Sequence, residues 1–131
     1  MPQPQLLCFH MGEEKLSKIR LCAMRYKIRV RVVTQEEEGL ALGELLGLPA
    51  PESVRHGDGP VAEEMMVMAL FPAGMVDALL RLMRQMKTPP VALKAVLTQA
   101  NSAWDARALY AELAQEREAF AKGTRAEHGE G

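Results

Sequence analysis

Two stretches of this chain run through the same order of apolar, amphipathic and alternating sequence, and that order limits the folds open to it. Gln5 to His10 (QLLCFH) is a short apolar run. Past Gly12, Leu16, Ile19, Ala23 and Tyr26 recur at spacings of three and four among Lys15, Lys18, Arg20, Arg25 and Lys27, the pattern of an amphipathic helix. Ile28 to Thr34 (IRVRVVT) then alternates, with Ile28, Val30 and Val32 on one side and Arg29 and Arg31 on the other, as a half-buried strand does. The second stretch follows suit. Glu64 to Phe71 (EMMVMALF) is apolar on both alternating faces and reads as a central strand covered on both sides. Pro72 suits the first turn of a helix carrying Met75, Val76, Leu79, Leu80, Met83 and Met86, which Thr88-Pro89-Pro90 ends. Val91 to Thr98 (VALKAVLT) reads as a strand whose one charge is Lys94.

An offset of 63 positions places Leu16 on Leu79, Ile19 on Leu82, Ala23 on Met86 and Ile28 on Val91, a match of pattern more than of identity. Two such units predict an α+β fold of ferredoxin-like βαββαβ type, a four-stranded antiparallel sheet with both helices on one face. The first and third strands are then central and the second and fourth are edges. Arg29, Arg31 and Lys94 fit edges, where charge resists unwanted strand addition. Gly39 to Leu48 (GLALGELLGL) predicts an inserted short helix, which keeps a parallel three-layer α/β sheet as the alternative. Its glycines, spaced by four, point to close helix packing or a weakened helix. Pro49 to Pro60 (PAPESVRHGDGP) reads as a flexible loop. Asn101 and Ser102 offer N-caps, with Asp105 behind them, for an added C-terminal helix from about Ala103 to about Ala121 with Leu109, Leu113 and Phe120 on one stripe. The expectation is one domain over residues 1–121 and a flexible polar tail over 122–131.

With 16 basic and 17 acidic side chains the net charge is −1, so no global field gathers nucleic acid or anionic membrane. No apolar run approaches the roughly 20 residues that cross a bilayer. The N-terminus lacks the basic start, apolar stretch and small-residue cleavage site of a secretory signal, and two cysteines make no disulfide framework, so a cytoplasmic location is expected.

Cys8, His10 and Cys22 are metal-ligating residue types, but no C-x-x-C pair occurs and Cys22 falls among core-spaced residues, so both cysteines are expected to be buried small hydrophobes. Neither a metal nor another cofactor is expected. Seven of the 16 Lys and Arg lie between Lys15 and Arg31 with no Asp or Glu in the interval. Arg25, Lys27, Arg29 and Arg31 form its basic patch, either a docking surface for phosphate groups or an acidic partner, or a solvated face balanced by Glu36-Glu37-Glu38. Central strands offering only Phe9 and Phe71, both near strand ends, argue against base stacking, so nucleic acid is a minor alternative. No familiar catalytic motif is present, and His10, His56 and His128 fall on a strand end, a loop and a tail.

At Glu63-Glu64-Met65-Met66-Val67-Met68, then Leu93-Lys94-Ala95-Val96-Leu97-Thr98, then Asn101 and Trp104, the chain resembles a family of small bacterial proteins known as domain of unknown function 3783. The resemblance runs from Leu6 to Phe120, with Gln99 standing where a proline is common. It carries no assigned activity, but it draws attention to Lys94 and Thr98 on one strand face and to Asn101 and Trp104 beyond them. As a ligand or partner site, Lys94 supplies charge, Thr98 and Asn101 hydrogen bonds, and Trp104 an aromatic wall. As structure alone, Asn101 is a cap and Trp104 an anchor for the final helix. The function expected is a non-enzymatic protein-interaction or regulatory module, a homodimer through sheet surface or the added helix. A small-molecule sensor or an enzyme of unfamiliar type is the alternative.

Overall fold

A computed structural model describes residues 3–130, with side chains in the last helix as far as Gly123. Its elements are β1 (Gln5–Phe9), α1 (Glu13–Arg25), β2 (Arg29–Val32), α2 (Leu42–Leu45), β3 (Met65–Ala69), α3 (Met75–Gln85), β4 (Leu93–Val96) and α4 (Ala106–Glu130). Short 3-10 turns at Gln35–Gly39 and Asn101–Ala103 precede α2 and α4. The strands form one mixed sheet in the order β2-β1-β3-β4.

The α+β class and the four strands agree with the sequence. The ferredoxin-like order does not. The expected edges and centre are correct, but each edge strand lies parallel to its own unit's first strand, Leu6 opposite Val30 and Met66 opposite Lys94. The two units then meet through the antiparallel pair β1–β3, with Leu7 opposite Val67. The ferredoxin-like order would make β2 and β3 antiparallel neighbours. Here residues 33–64 separate them and fold over the sheet, burying Val33, Leu42, Leu45, Leu46 and Val61 on it. Apolar burial of that segment, at about 25 cal/mol per Å², holds it as a covering layer. The parallel three-layer alternative is right about helices on both faces and wrong about the central pairing.

Each face of β1 and β3 has its own core. Leu6, Cys8, Met66 and Met68 face α1 and α3, where Ile19, Cys22, Leu79 and Met83 meet them. Leu7, Phe9, Met65 and Val67 face α2 and α4, meeting Leu42, Leu45, Ala106 and Leu109. One chain therefore covers both faces of its central strands, which removes the apolar surface that motivated a homodimer through the sheet. Cys8 and Cys22 are free and buried, and burial pushes the Cys8 thiol up to about 12. Among the described residues no helix is long and apolar enough to cross a membrane.

The true offset between the units is 60, not 63. Lys27 and Lys87, 60 positions apart, both adopt left-handed backbone, as do His10 and Leu70 at the strand ends. Both helices close with the same pair of bonds, Ile28 N–H to Ala23 C=O at 2.9 Å and Lys27 N–H to Met24 C=O at 3.2 Å in α1, Thr88 to Met83 at 2.9 Å and Lys87 to Arg84 at 3.0 Å in α3. This is the Schellman termination, with lysine where glycine is usual. After it the halves diverge. β2 starts at Arg29, whereas Pro89–Ala92 delay β4 to Leu93 and shift the offset to 64.

At the helix ends, too, the structure departs from the sequence. Pro72 lies outside α3, which starts at Met75 after the left-handed Gly74. α4 starts at Ala106 and continues to Glu130, where a tail was expected from residue 122. Its apolar stripe is buried at Leu109 and half-buried at Leu113, while Phe120 is 78% exposed. Arg117 donates to both oxygens of Glu63, at 3.0 and 2.7 Å, and the Tyr110 hydroxyl donates to the same carboxylate at 2.9 Å. These bonds, Arg117 first, hold the Glu63 carboxyl down at about 2.

A carboxyl lowered on folding stabilises above its unfolded range, near 4.5, and loses that contribution as pH falls towards about 2. Stability of the wild type should therefore drop more steeply than that of Glu63→Gln across this acid window, as read by chemical denaturation at each pH. Lys87→Gly should raise stability by about 0.5–1 kcal/mol, the left-handed penalty on lysine less the chain entropy of glycine, measurable in the same way.

Candidate functional site

The structure does not bring together all four of the residues singled out near the last strand. Thr98 and Asn101 are together, each side chain accepting from the other's backbone N–H. The Thr98 N–H donates to Asn101 Oδ1 at 2.8 Å, and the Asn101 N–H donates to Thr98 Oγ1 at 3.0 Å. Asn101 Nδ2 also donates to the Val96 carbonyl at 3.2 Å. The turn closes at Gln99, whose carbonyl accepts from the Ser102 hydroxyl at 2.9 Å. Trp104 is half-buried against the α4-side core, with the Arg55 guanidinium 4.3 Å above its ring. Its carbonyl accepts from Leu42 N–H at 2.8 Å. Lys94 lies elsewhere, on the α3 side of β4, where it lines a cavity with Thr88 and Arg84.

Beside this turn is a residue whose importance the sequence understated. Asp105, not Asn101 or Ser102, precedes the first residue of α4, and its carboxylate is fully buried. Oδ1 accepts from Ala108 N–H at 2.8 Å, capping the helix, and from Gly57 N–H at 3.1 Å. Oδ2 lies 2.9 Å from His56 Nδ1. The loop expected to be flexible is thus stitched down, with Arg55 N–H donating to Ala103 C=O and Asp105 N–H to Arg55 C=O, both at 2.9 Å. Gly57 is required there, because an added Cβ would sit 2.4 Å from the Arg107 carbonyl carbon. Gly43 packs nearly as closely, its place for a Cβ 3.2 Å from Ser102 O, so α2 sits tight on the turn before α4. The readable signal was Asp105 three residues before Ala108, the spacing of an N-cap.

A second buried carboxylate, Glu38, lies 2.8 Å from His10 Nε2. Both histidines are thus engaged by structural carboxylates. Among the described residues neither has a serine or cysteine within hydrogen-bond distance, and no group of three or more His, Cys, Asp or Glu could hold a metal ion.

The basic patch is placed on the β2 side of the sheet. Arg25, Lys27 and Arg29 are exposed, while Arg31 pairs with Glu37 at 2.6 Å. Glu37 also accepts from Thr34 N–H at 3.0 Å, and these two contacts, the backbone one first, hold its carboxyl below the usual range. Clefts flank the strand on both sides. One of about 460 Å³ lies between Arg29, Arg31 and Gly47, and one of about 540 Å³ between Arg20, Met24 and Lys27.

Asp105→Ala should cost about 2–4 kcal/mol, a lost cap plus a second donor left unmet. Gly57→Ala should cost about 1–3 kcal/mol through overpacking. Because both break the same attachment, the double variant should lose less than the sum in urea denaturation.

Comparison with curated proteins and with solved structures gives no match. The model of the family described as Domain of unknown function (DUF3783) matches residues 64–120, from the start of β3 through Phe120 of α4, and so bears out the resemblance over the second unit and the added helix.

Proposed function

We propose that the chain is a non-enzymatic protein-interaction module that docks an acidic amphipathic segment on the seam between α1 and α3. The observation that carries this is Met24, 71% exposed, with Leu21 at 56% and Met86 at 41% beside it. With Leu82 and Arg25 they line one shallow groove. Methionine and leucine in an open groove are adaptable anchors for an apolar helix face. The rim sets the partner's charge. Lys15 pairs with Glu64, but Arg20, Arg25 and Lys27, which flank Met24, have no ion-pair partner among the described residues.

Three such cations, Arg20, Arg25 and Lys27, around an apolar centre favour an acidic partner and disfavour a second copy, which would bring the same charges to the contact. The apolar centre also separates this surface from a phosphate-binding one, which needs the cations alone. Two free thiols fit a reducing cytoplasm as the place where it acts.

Met24→Glu changes an exposed side chain, so the unfolding midpoint should hold. Titrated with a synthetic acidic amphipathic helix, the variant should bind about tenfold more weakly than wild type, a difference of about 1.4 kcal/mol. Wild type should sediment as a monomer. Equal affinity of the two forms sinks the proposal. So does retention of a single-stranded oligonucleotide, steeply salt-dependent and indifferent to Met24→Glu.

A further inference from the structure

The two units make an internal comparison possible, and it isolates three positions. Taking the offset of 60 through the helices and 64 through the edge strands, Met24 corresponds to Arg84, Ile28 to Thr88 and Val30 to Lys94. In the first unit these three line the groove between α1 and β2 as apolar residues. In the second all three are polar, and all three line the matching space between α3 and β4. Three polar replacements converging on one cavity call for a common cause.

The extra residues Pro89–Ala92 give this space a lining that the first unit lacks. Where β2 follows its helix directly, β4 is set back, and Pro89, Pro90 and Val91 form a wall opposite Leu80 and Met83. The cavity, partly open to solvent, has a volume of about 340 Å³, at the lower end for small-ligand sites. The wall is held from outside by Lys15, whose Nζ donates to the Pro90 carbonyl at 2.9 Å while pairing with Glu64. Inside, Thr88 Oγ1 is buried with no hydrogen-bond partner among the described residues. A buried hydroxyl left unmet is costly, and its counterpart Ile28 shows that an apolar side chain serves at this turn. At the mouth, Arg84 and Lys94 are exposed and form no ion pair among the described residues.

We propose that this cavity binds a small organic carboxylate with an apolar body. The carboxylate takes its charge partners from Lys94 and Arg84 and, once rotation about χ1 turns the buried hydroxyl to the cavity, a hydrogen bond from Thr88. The apolar body lies against Leu80, Met83, Pro90 and Val91. A neutral amide of the same shape gains no charge pairing, and an inorganic anion leaves the apolar walls unfilled.

The test is amide NMR of the full chain with three probes, benzoate, benzamide and inorganic phosphate, each taken to about 10 mM to reach weak affinities. Benzoate should shift the amides of Thr88, Val91 and Lys94 in a saturable way, with little response to benzamide or phosphate. Lys94→Met, at an exposed position, should weaken benzoate about tenfold through loss of a charged partner. Thr88→Val should weaken it about fivefold while raising the unfolding midpoint, since an unmet buried hydroxyl is removed. The proposal fails if benzoate gives no saturable shift at these residues, if phosphate matches benzoate there, or if Thr88→Val leaves benzoate affinity unchanged.

Discussion

The antiparallel pairing of β1 with β3 is the constraint from which the rest of this structure follows. Both strands are apolar on both faces, with Leu6, Leu7, Cys8 and Phe9 facing Met65, Met66, Val67 and Met68 across the pair. Paired, they present two apolar surfaces back to back, and neither can be left in water. The two crossover helices fill only one of them. The other has to be filled by sequence outside the two units, which explains why the linker over residues 33–64 and α4 pack where they do. Asp105 is the fastener of that second layer, because the linker and the start of α4 both donate to its carboxylate.

Much of this was legible in the sequence. The double apolar face of β3 showed at once that it was central and covered, and Arg29, Arg31 and Lys94 marked the true edges. Periodicity is local, however, and strand direction is not. Nothing in the alternation of Ile28–Val32 distinguishes parallel pairing with β1 from antiparallel pairing with β3, so the order was open to error. The repeat offset failed for a different reason. Pro89 and Pro90 enter after the helix turn, so no single offset fits both parts, and 63 misplaces the helices by about a turn and the edge strands by one residue. The cap of α4 was misplaced because a 3-10 turn at Asn101–Ala103 intervenes, carrying Asn101 and Ser102 out of capping position.

The candidate site was legible in part. Asn101 and Trp104 were weighed as a cap and an anchor as well as a site, and in the structure Asn101 closes a turn with Thr98 while Trp104 packs beneath Arg55. Lys94 was grouped with them through alternation along β4, but the strand ends at Val96 and Thr98 lies beyond it, just before the turn at Gln99 and Ala100. What Lys94 faces depends on α3 and on the proline wall, which only the assembled fold brings together. The exposed Met24 was likewise hidden among core-like methionines, since composition does not say which side of a helix meets a neighbour.

The two units share one plan and meet at their central pair, so the sheet ends on a parallel edge strand at each side. Each end is only four residues long, and each carries cations, Arg29 and Arg31 on one and Lys94 on the other. A chain built this way is a tile with two free sides, and tiles with two compatible sides polymerise into ribbons. Lys94 therefore answers to two demands at once. Any change that empties it of charge alters what the cavity beneath can hold and removes the guard from one side of the tile.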